Sequence, residues 1–189
     1  MTVLLHSCCG PCLGGSYDIL KNDLQEEGIE TFWFNPNIHP YLEYRERLLS
    51  FQKICNELGL KTHYGPGDYG LEYFLNEIAG KYDQGRCKEC YRLRFDQLAH
   101  YTAANSFRAF STTLLVSPYQ QHEMIVEEAE KAAKKYGTSF HYCDFRPGFK
   151  NTHESARQYD LYKQKYCGCI FSEHSRFKGD KRYQLPECE

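Results

Sequence analysis

Short apolar runs alternate along the chain with longer stretches of helical spacing. Val3-Leu4-Leu5-His6 is an apolar run that opens into a Gly-rich turn, and residues 14–27 read as a helix. Thr31-Phe32-Trp33-Phe34 is β-branched and aromatic, and Asn35-Pro36-Asn37 stops it. From 43 to 58 the spacing is helical, placing Tyr44, Leu48, Phe51, Ile54 and Cys55 on one face. Residues 61–64 predict a weaker strand ended by Gly65-Pro66-Gly67, and 71–79 and 87–105 predict helices. Residues 109–116 read as strand, 120–136 as helix with Gly137 just past its end, 139–143 as the last strand and 154–165 as the last helix.

Five strands alternating with helices predict an α/β fold, a parallel five-stranded sheet with helices on both faces. The 189 residues carry no repeat and no long linker, so one domain over 1–189 is expected, ending in a Cys-rich and basic segment at about 166–189. In such sheets ligands sit beyond the carboxyl ends of the strands, where the strand order reverses. The loop after the first strand is therefore the expected place for chemistry.

Composition sharpens this. A formal charge of −2 gives no global attraction to nucleic acid, so any RNA contact needs a local basic face. No run approaches a membrane span, and Met1-Thr2-Val3-Leu4-Leu5 is too short for a signal peptide. A cytoplasmic, reducing setting is expected. There, ten cysteines point to metal or redox work rather than staples.

Seven of the ten fall in three groups. Cys8-Cys9-Gly10-Pro11-Cys12 follows the first strand, and Gly10 and Pro11 supply the bend that lets adjacent sulfurs converge. Cys87-Lys88-Glu89-Cys90 opens a helix, where residues three apart share a face and the dipole favours thiolates. Cys167-Gly168-Cys169 is tight for two ligands of one ion, but its glycine permits a strained, easily reduced disulfide. Cys55 and Cys143 read as small core hydrophobes and Cys188 as a bystander. Zinc and a [4Fe–4S] cluster both accept four cysteines. The location at the mouth of the first strand and the spare thiols argue for a working cofactor. Cys9-Gly10-Pro11-Cys12 is also the thioredoxin motif, which makes a thiol–disulfide oxidoreductase using Cys9 and Cys12 the alternative. Against it, only eight residues precede Cys9, and thioredoxins carry a strand–helix unit there.

Other groups surround the same mouth. His39, in the loop before Glu43-Tyr44-Arg45, is a candidate acid or ligand. Basic residues cluster at Arg86, Lys88, Arg92 and Arg94, and again from Lys163 to Arg182, with tyrosines among them. Cations for phosphates and rings for extruded bases are the ingredients of single-stranded RNA recognition. A cluster-bearing RNA-binding protein without catalysis is the remaining alternative.

Taken together, His6-Ser7-Cys8-Cys9-Gly10-Pro11-Cys12, the Asn-Pro-Asn-Ile-His-Pro loop at 35–40, Cys87 through Arg94 and Tyr166-Cys167-Gly168-Cys169 resemble the QueH-type epoxyqueuosine reductases over nearly the whole chain. The resemblance implies a fold of the adenine nucleotide α-hydrolase-like (HUP) type. It implies cobalamin-independent reduction of epoxyqueuosine to queuosine at the wobble position of tRNA, the epoxide oxygen leaving as water. It further implies Cys8, Cys9, Cys87 and Cys90 as ligands of a [4Fe–4S] cluster, and Cys167 and Cys169 as a redox-active disulfide pair. An additional metal ion, iron for instance, beside the cluster would contact Cys12 or Asp18, and His39 or Tyr166 would be active-site contacts. Arg45, Arg86, Lys88, Arg92 and Arg94 are the expected RNA contacts. Cysteines stand where ATP-using relatives carry a phosphate-binding loop, so no ATP use is expected. The implied partners are tRNA carrying epoxyqueuosine and an unidentified electron donor.

Overall fold

The structure, a computed structural model, describes residues 1–67, 69–83 and 85–183. It is one α/β domain whose four-stranded sheet has β1 (Thr2–His6) at its heart. Val3, Leu4, Leu5 and His6 are all without exposure, so the strand has no water-facing side. An apolar run without alternation is what a buried parallel strand requires. β2 (Gly28–Trp33) pairs with β1 on one side and β3 (Thr62–Tyr64) lies beyond it. β4 (Ala109–Thr112) pairs with β1 on the other side, and all three pairings are parallel. The order β3-β2-β1-β4 therefore reverses at β1.

Among the described residues the helices are α1 (Gly10–Leu24), α2 (Tyr41–Glu57), α3 (Leu71–Glu77), α4 (Gly85–Ala104), α5 (His122–Tyr136), α6 (Phe149–Gln158) and α7 (Ile170–Phe177). α1 packs between α2 and α6, while α4 packs on α5. On α2 the apolar face predicted from spacing is inward: Tyr44, Phe51, Ile54 and Cys55 are buried and Leu48 packs against them. Each fully buried Phe or Ile contributes about 2 kcal/mol.

Three sequence expectations are corrected. The fifth strand is absent as an element. Phe140 makes one parallel bridge with Phe110, using hydrogen bonds from Phe110 N to Ser139 O and from His141 N to Phe110 O. The chain then turns away because Asp144 accepts from the backbone N–H of Arg146 and Pro147 follows in a 3-10 turn. The sheet thus has four strands, not five. The fourth is shorter than predicted, since Thr112 Oγ1 accepts from Leu114 N and winds 113–116 into a 3-10 turn. The last predicted helix, at 154–165, instead runs over α6, and the tail folds an extra helix, α7. Residues 184–189, with Cys188, lie outside the described residues. No helix among the described residues is long and apolar enough to cross a membrane.

α1 and the turn before α6 meet backbone to backbone. A Cβ on Gly148 would stand 1.9 Å from the Gly15 carbonyl oxygen, and one on Gly15 would stand 2.8 Å from that of Gly148. Gly148→Ala is therefore expected to lower stability by about 3 kcal/mol in urea unfolding, the upper range for overpacking. Gly179→Ala, with open space around it, changes stability by less than about 0.5 kcal/mol.

Candidate metal centre

The loop after β1 is pinned before the chain bends. Ser7 N donates to Phe32 O, and the Asn35 side chain donates to Ser7 O at 2.9 Å. Cys9 is extended, with φ −174°, and caps α1 through its sulfur, which accepts from Cys12 N at 3.4 Å. α1 consequently begins at Gly10 rather than Gly14. Gly10 is required by space, since a Cβ there would lie 2.5 Å from the Ser50 carbonyl oxygen of α2. This bend gathers the buried sulfurs of Cys8, Cys9 and Cys12 within 4.8 Å of one another. The position is the reversal of strand order: Cys8 N donates to Thr113 Oγ1, just past β4.

Such a group cannot ionise in full. Hydrogen bonds from Cys12 and then Cys9 pull the Cys8 thiol well below its ordinary range. Burial holds the Cys9 thiol up, and its bond with Cys8 does the same for Cys12. One thiolate solvated by two thiols is the arrangement a soft cation displaces, releasing protons as it binds.

Cys87 and Cys90 sit in the first two turns of α4, as expected. Burial raises both thiols, Cys90 to about 12. Cys90 and Cys169 share one apolar cluster with Phe74, Ile78 and Leu93. Buried Arg94 links the three groups. Its Nε donates to Cys90 O at 3.2 Å, and its charge acts on Cys90, Cys167 and Cys8. Its Nη2 is buried with no partner, and among the described residues no carboxylate neutralises it. A buried cation with no carboxylate beside it is costly where most of the nearby thiols are neutral, whereas several thiolates ligating a metal would compensate it. The donors and the orphaned N–H therefore fit a thiolate-bound metal centre. Among the described residues the close-set thiols are Cys8, Cys9 and Cys12; the expected ligands Cys87 and Cys90 on α4 are not part of that group.

Arg47 of α2 holds the third group. Its side chain has no exposure; it pairs with Glu43 and donates to the carbonyls of Tyr166 and Cys167, both at 2.9 Å. Gly168 between the two cysteines has φ +144°, a conformation side chains rarely adopt. Cys167 and Cys169 are free thiols, the first exposed and the second buried. Gln120 donates to Cys167 Sγ at 3.2 Å while accepting from the Tyr91 hydroxyl.

A pocket of about 890 Å³ opens over these sulfurs, lined by Cys8, Cys12, Thr113, Gln120, Gln164 and Cys167 among others. Residues 3–175 match the sequence model of the family described as epoxyqueuosine reductase QueH. The chain belongs to this family. It is 38% identical over 177 residues to the epoxyqueuosine reductase QueH of Dehalococcoides mccartyi, covering 93% of this chain and 94% of that one. For that of Thermotoga maritima the identity is 33%, with 90% of each chain covered. For that of Streptococcus pyogenes it is 28%, with 90% and 70% covered.

The other expected site residues of this QueH-family chain are scattered. Tyr166 lines the pocket, but its hydroxyl donates to His39 O. His39 is buried, its ring against Tyr69 and Phe74 and its Nε2 bonded to Pro36 O. Asp18 is exposed on α1, outside the close-set thiol group. Of the expected RNA contacts, Arg45 pairs with Glu46, Arg86 donates to the Tyr82 and Asp83 carbonyls, and Arg92 is tied to Glu77, Glu89 and Asp96. Lys88 is exposed, buried Arg94 has no surface to offer a phosphate, and none of the five lines the pocket. Cys9 is without exposure and its thiol is held protonated, which is unlike the accessible thiolate of the thioredoxin alternative. Sequence reasoning missed Arg47, Gln120 and Gln164. Only Arg47 carries a signal there, as a charge on the apolar stripe of Tyr44, Phe51 and Ile54.

Two outcomes are expected. Arg47→Met leaves Glu43 buried without its partner and costs about 3 kcal/mol or more, read by urea unfolding and by faster hydrogen exchange at 166–169. Burial lowers the His39 pKa from 6.5 to about 4, and Nδ1 has no acceptor for a second proton. The unfolded chain then binds the proton more tightly. The contribution of neutral His39 is complete above pH 6.5 and is lost as pH falls toward 4, by about 1.4 kcal/mol per unit. Between pH 7 and 5, His39→Gln should lose correspondingly less stability than the parent.

Proposed function

We propose that this chain reduces epoxyqueuosine to queuosine in tRNA, with Cys8, Cys9, Cys87 and Cys90 holding a [4Fe–4S] cluster and Cys167 and Cys169 cycling between dithiol and disulfide. Membership of the family supports the reaction. The observation that carries the site is the convergence of Cys8 and Cys12, close-set with Cys9, and of Cys167 at one pocket, with the buried charge of Arg94 acting on Cys8 and Cys167. The doubly wound strand order supports the HUP-type assignment, with Phe140 touching the sheet where a fifth strand would run. When bound, such a cluster supplies one-electron transfer and an iron able to polarise an oxygen.

The residues of the chain meet the remaining demands. Removing the epoxide oxygen breaks two C–O bonds and takes two electrons and two protons, yielding an alkene and water. Oxidation of the Cys167–Cys169 dithiol forms one S–S bond and releases two electrons and two protons, so the exchange balances. A thiol-class or protein electron donor then restores the pair. Cys167 is at the pocket, Gln120 orients its sulfur, and Arg47 fixes the turn that carries it. Gly168 lets the two sulfurs approach.

The protein purified without oxygen should be brown and hold about four irons per chain, with absorbance near ~400 nm. Cys87→Ala should lose both. Cys167→Ser should keep the iron and lose product, measured by nucleoside mass spectrometry of epoxyqueuosine-containing tRNA. An iron-free, fully active parent would sink the cluster assignment, and an active Cys167→Ser the redox pair.

A further inference from the structure

The pocket mouth is chemically lopsided. Not one Asp or Glu is among its lining residues, although the chain carries 25 of them and a net charge of −2. Lys163, Lys165 and Arg176 line it instead; all three are exposed and none is in an ion pair among the described residues. These belong to the second of the two basic stretches in the sequence, from Lys163 to Arg182, and not to the one around α4. Three exposed cations outside any ion pair, at a concave site with no acidic lining residue, make a local attraction for polyanions that the molecule as a whole lacks.

Opposite chemistry lies on the same mouth. Tyr119 is 85% exposed, more than any other large apolar side chain among the described residues except Met1. Its ring meets Phe149 edge-on at 5.9 Å, and Phe149 meets His153 at 5.7 Å. All three rings line the pocket. An exposed ring on an aromatic support gains little for folding, but it offers a flat face to another ring. Base stacking on such residues is sequence-tolerant, because every base has a π-face.

We infer that this mouth grips the single-stranded RNA on either side of the modified nucleotide, the Tyr119–Phe149–His153 ledge stacking a flanking base while Lys163, Lys165 and Arg176 hold its phosphates. The inference rests on the tRNA reading above and extends it. The enzyme recognises a loop of RNA around the reacting nucleoside, not the nucleoside alone. An acidic protein would use the cations and leave the ledge idle; a base-paired duplex would not free a base to stack.

The test is fluorescence anisotropy with a labelled 17-nucleotide RNA stem-loop carrying the anticodon, and with a fully paired RNA of equal length, across a salt series. The parent should prefer the loop. Tyr119→Ala should weaken loop binding about 10-fold while leaving the duplex alone, and Tyr119→Trp should retain it. Lys163→Gln with Lys165→Gln should flatten the slope of log affinity against log salt by about 1.4. Lys134→Gln, on the exposed side of α5 away from the mouth, should match the parent. Exposure of the changed side chains protects the fold, and equal thermal midpoints check it. Loop affinity and salt slope unchanged in the Tyr119 and Lys variants would overturn the inference. A parent that binds no stem-loop would instead overturn the tRNA reading on which it rests.

Discussion

The site depends on a buried charge balance. Arg47 and Arg94 are both hidden from water, and both act on the cysteine groups. Arg47 is partly neutralised by Glu43. Arg94 has sulfur, the Cys90 carbonyl and the face of the Tyr91 ring for company, but among the described residues no carboxylate, and its Nη2 is left without a partner. Isolated charges of this kind are excluded from protein interiors unless something compensates them. Thiolates are the compensating groups within reach, and a metal is what keeps several thiolates ionised together. The arginines thus argue for an anionic sulfur centre independently of the cysteine spacing.

That balance is possible only because the backbone delivers the sulfurs to one place. β1 is central, and the strand order turns back beside it, leaving a crevice between the ends of β1 and β4. Gly10 lets α1 start hard against α2, while Gly15 and Gly148 let α1 and the approach to α6 touch. Hydrogen bonds from Arg47 then bring the turn at 166–167 across from the far end of the chain. The chemistry is local in space and dispersed in sequence, Arg47 standing 120 positions from the Cys167 carbonyl it holds.

The elements were largely legible because their patterns are local. The strand at Val3–His6, the α2 face of Tyr44, Phe51 and Ile54, and the helix opened by Cys87 and Cys90 all appear where periodicity places them. The failures share a cause. Ser139–Cys143 has strand composition, but Asp144 and Pro147 divert it after one bridge. The run from Thr113 to Val116 is apolar enough for a strand, but the Thr112 hydroxyl winds it into a turn. In both cases one side-chain-to-backbone hydrogen bond outweighs a propensity worth fractions of a kcal/mol per residue.

The sequence by itself pointed to the kind of chemistry, since seven of its ten cysteines fall in three tight groups whose natural reading is metal and thiol work. It also determined the α/β class and marked the loop after β1. Only the tertiary structure decided which polar groups are buried and which reach the pocket. His39 and Arg94 look like surface candidates on paper, but one is packed beneath aromatic rings and the other is a buried counter-charge. Tyr119 and Gln120 look unremarkable, yet they line the pocket. Spacing reports which face of an element a residue occupies; what stands opposite that face is set by distant chain, through burial and long-range hydrogen bonds.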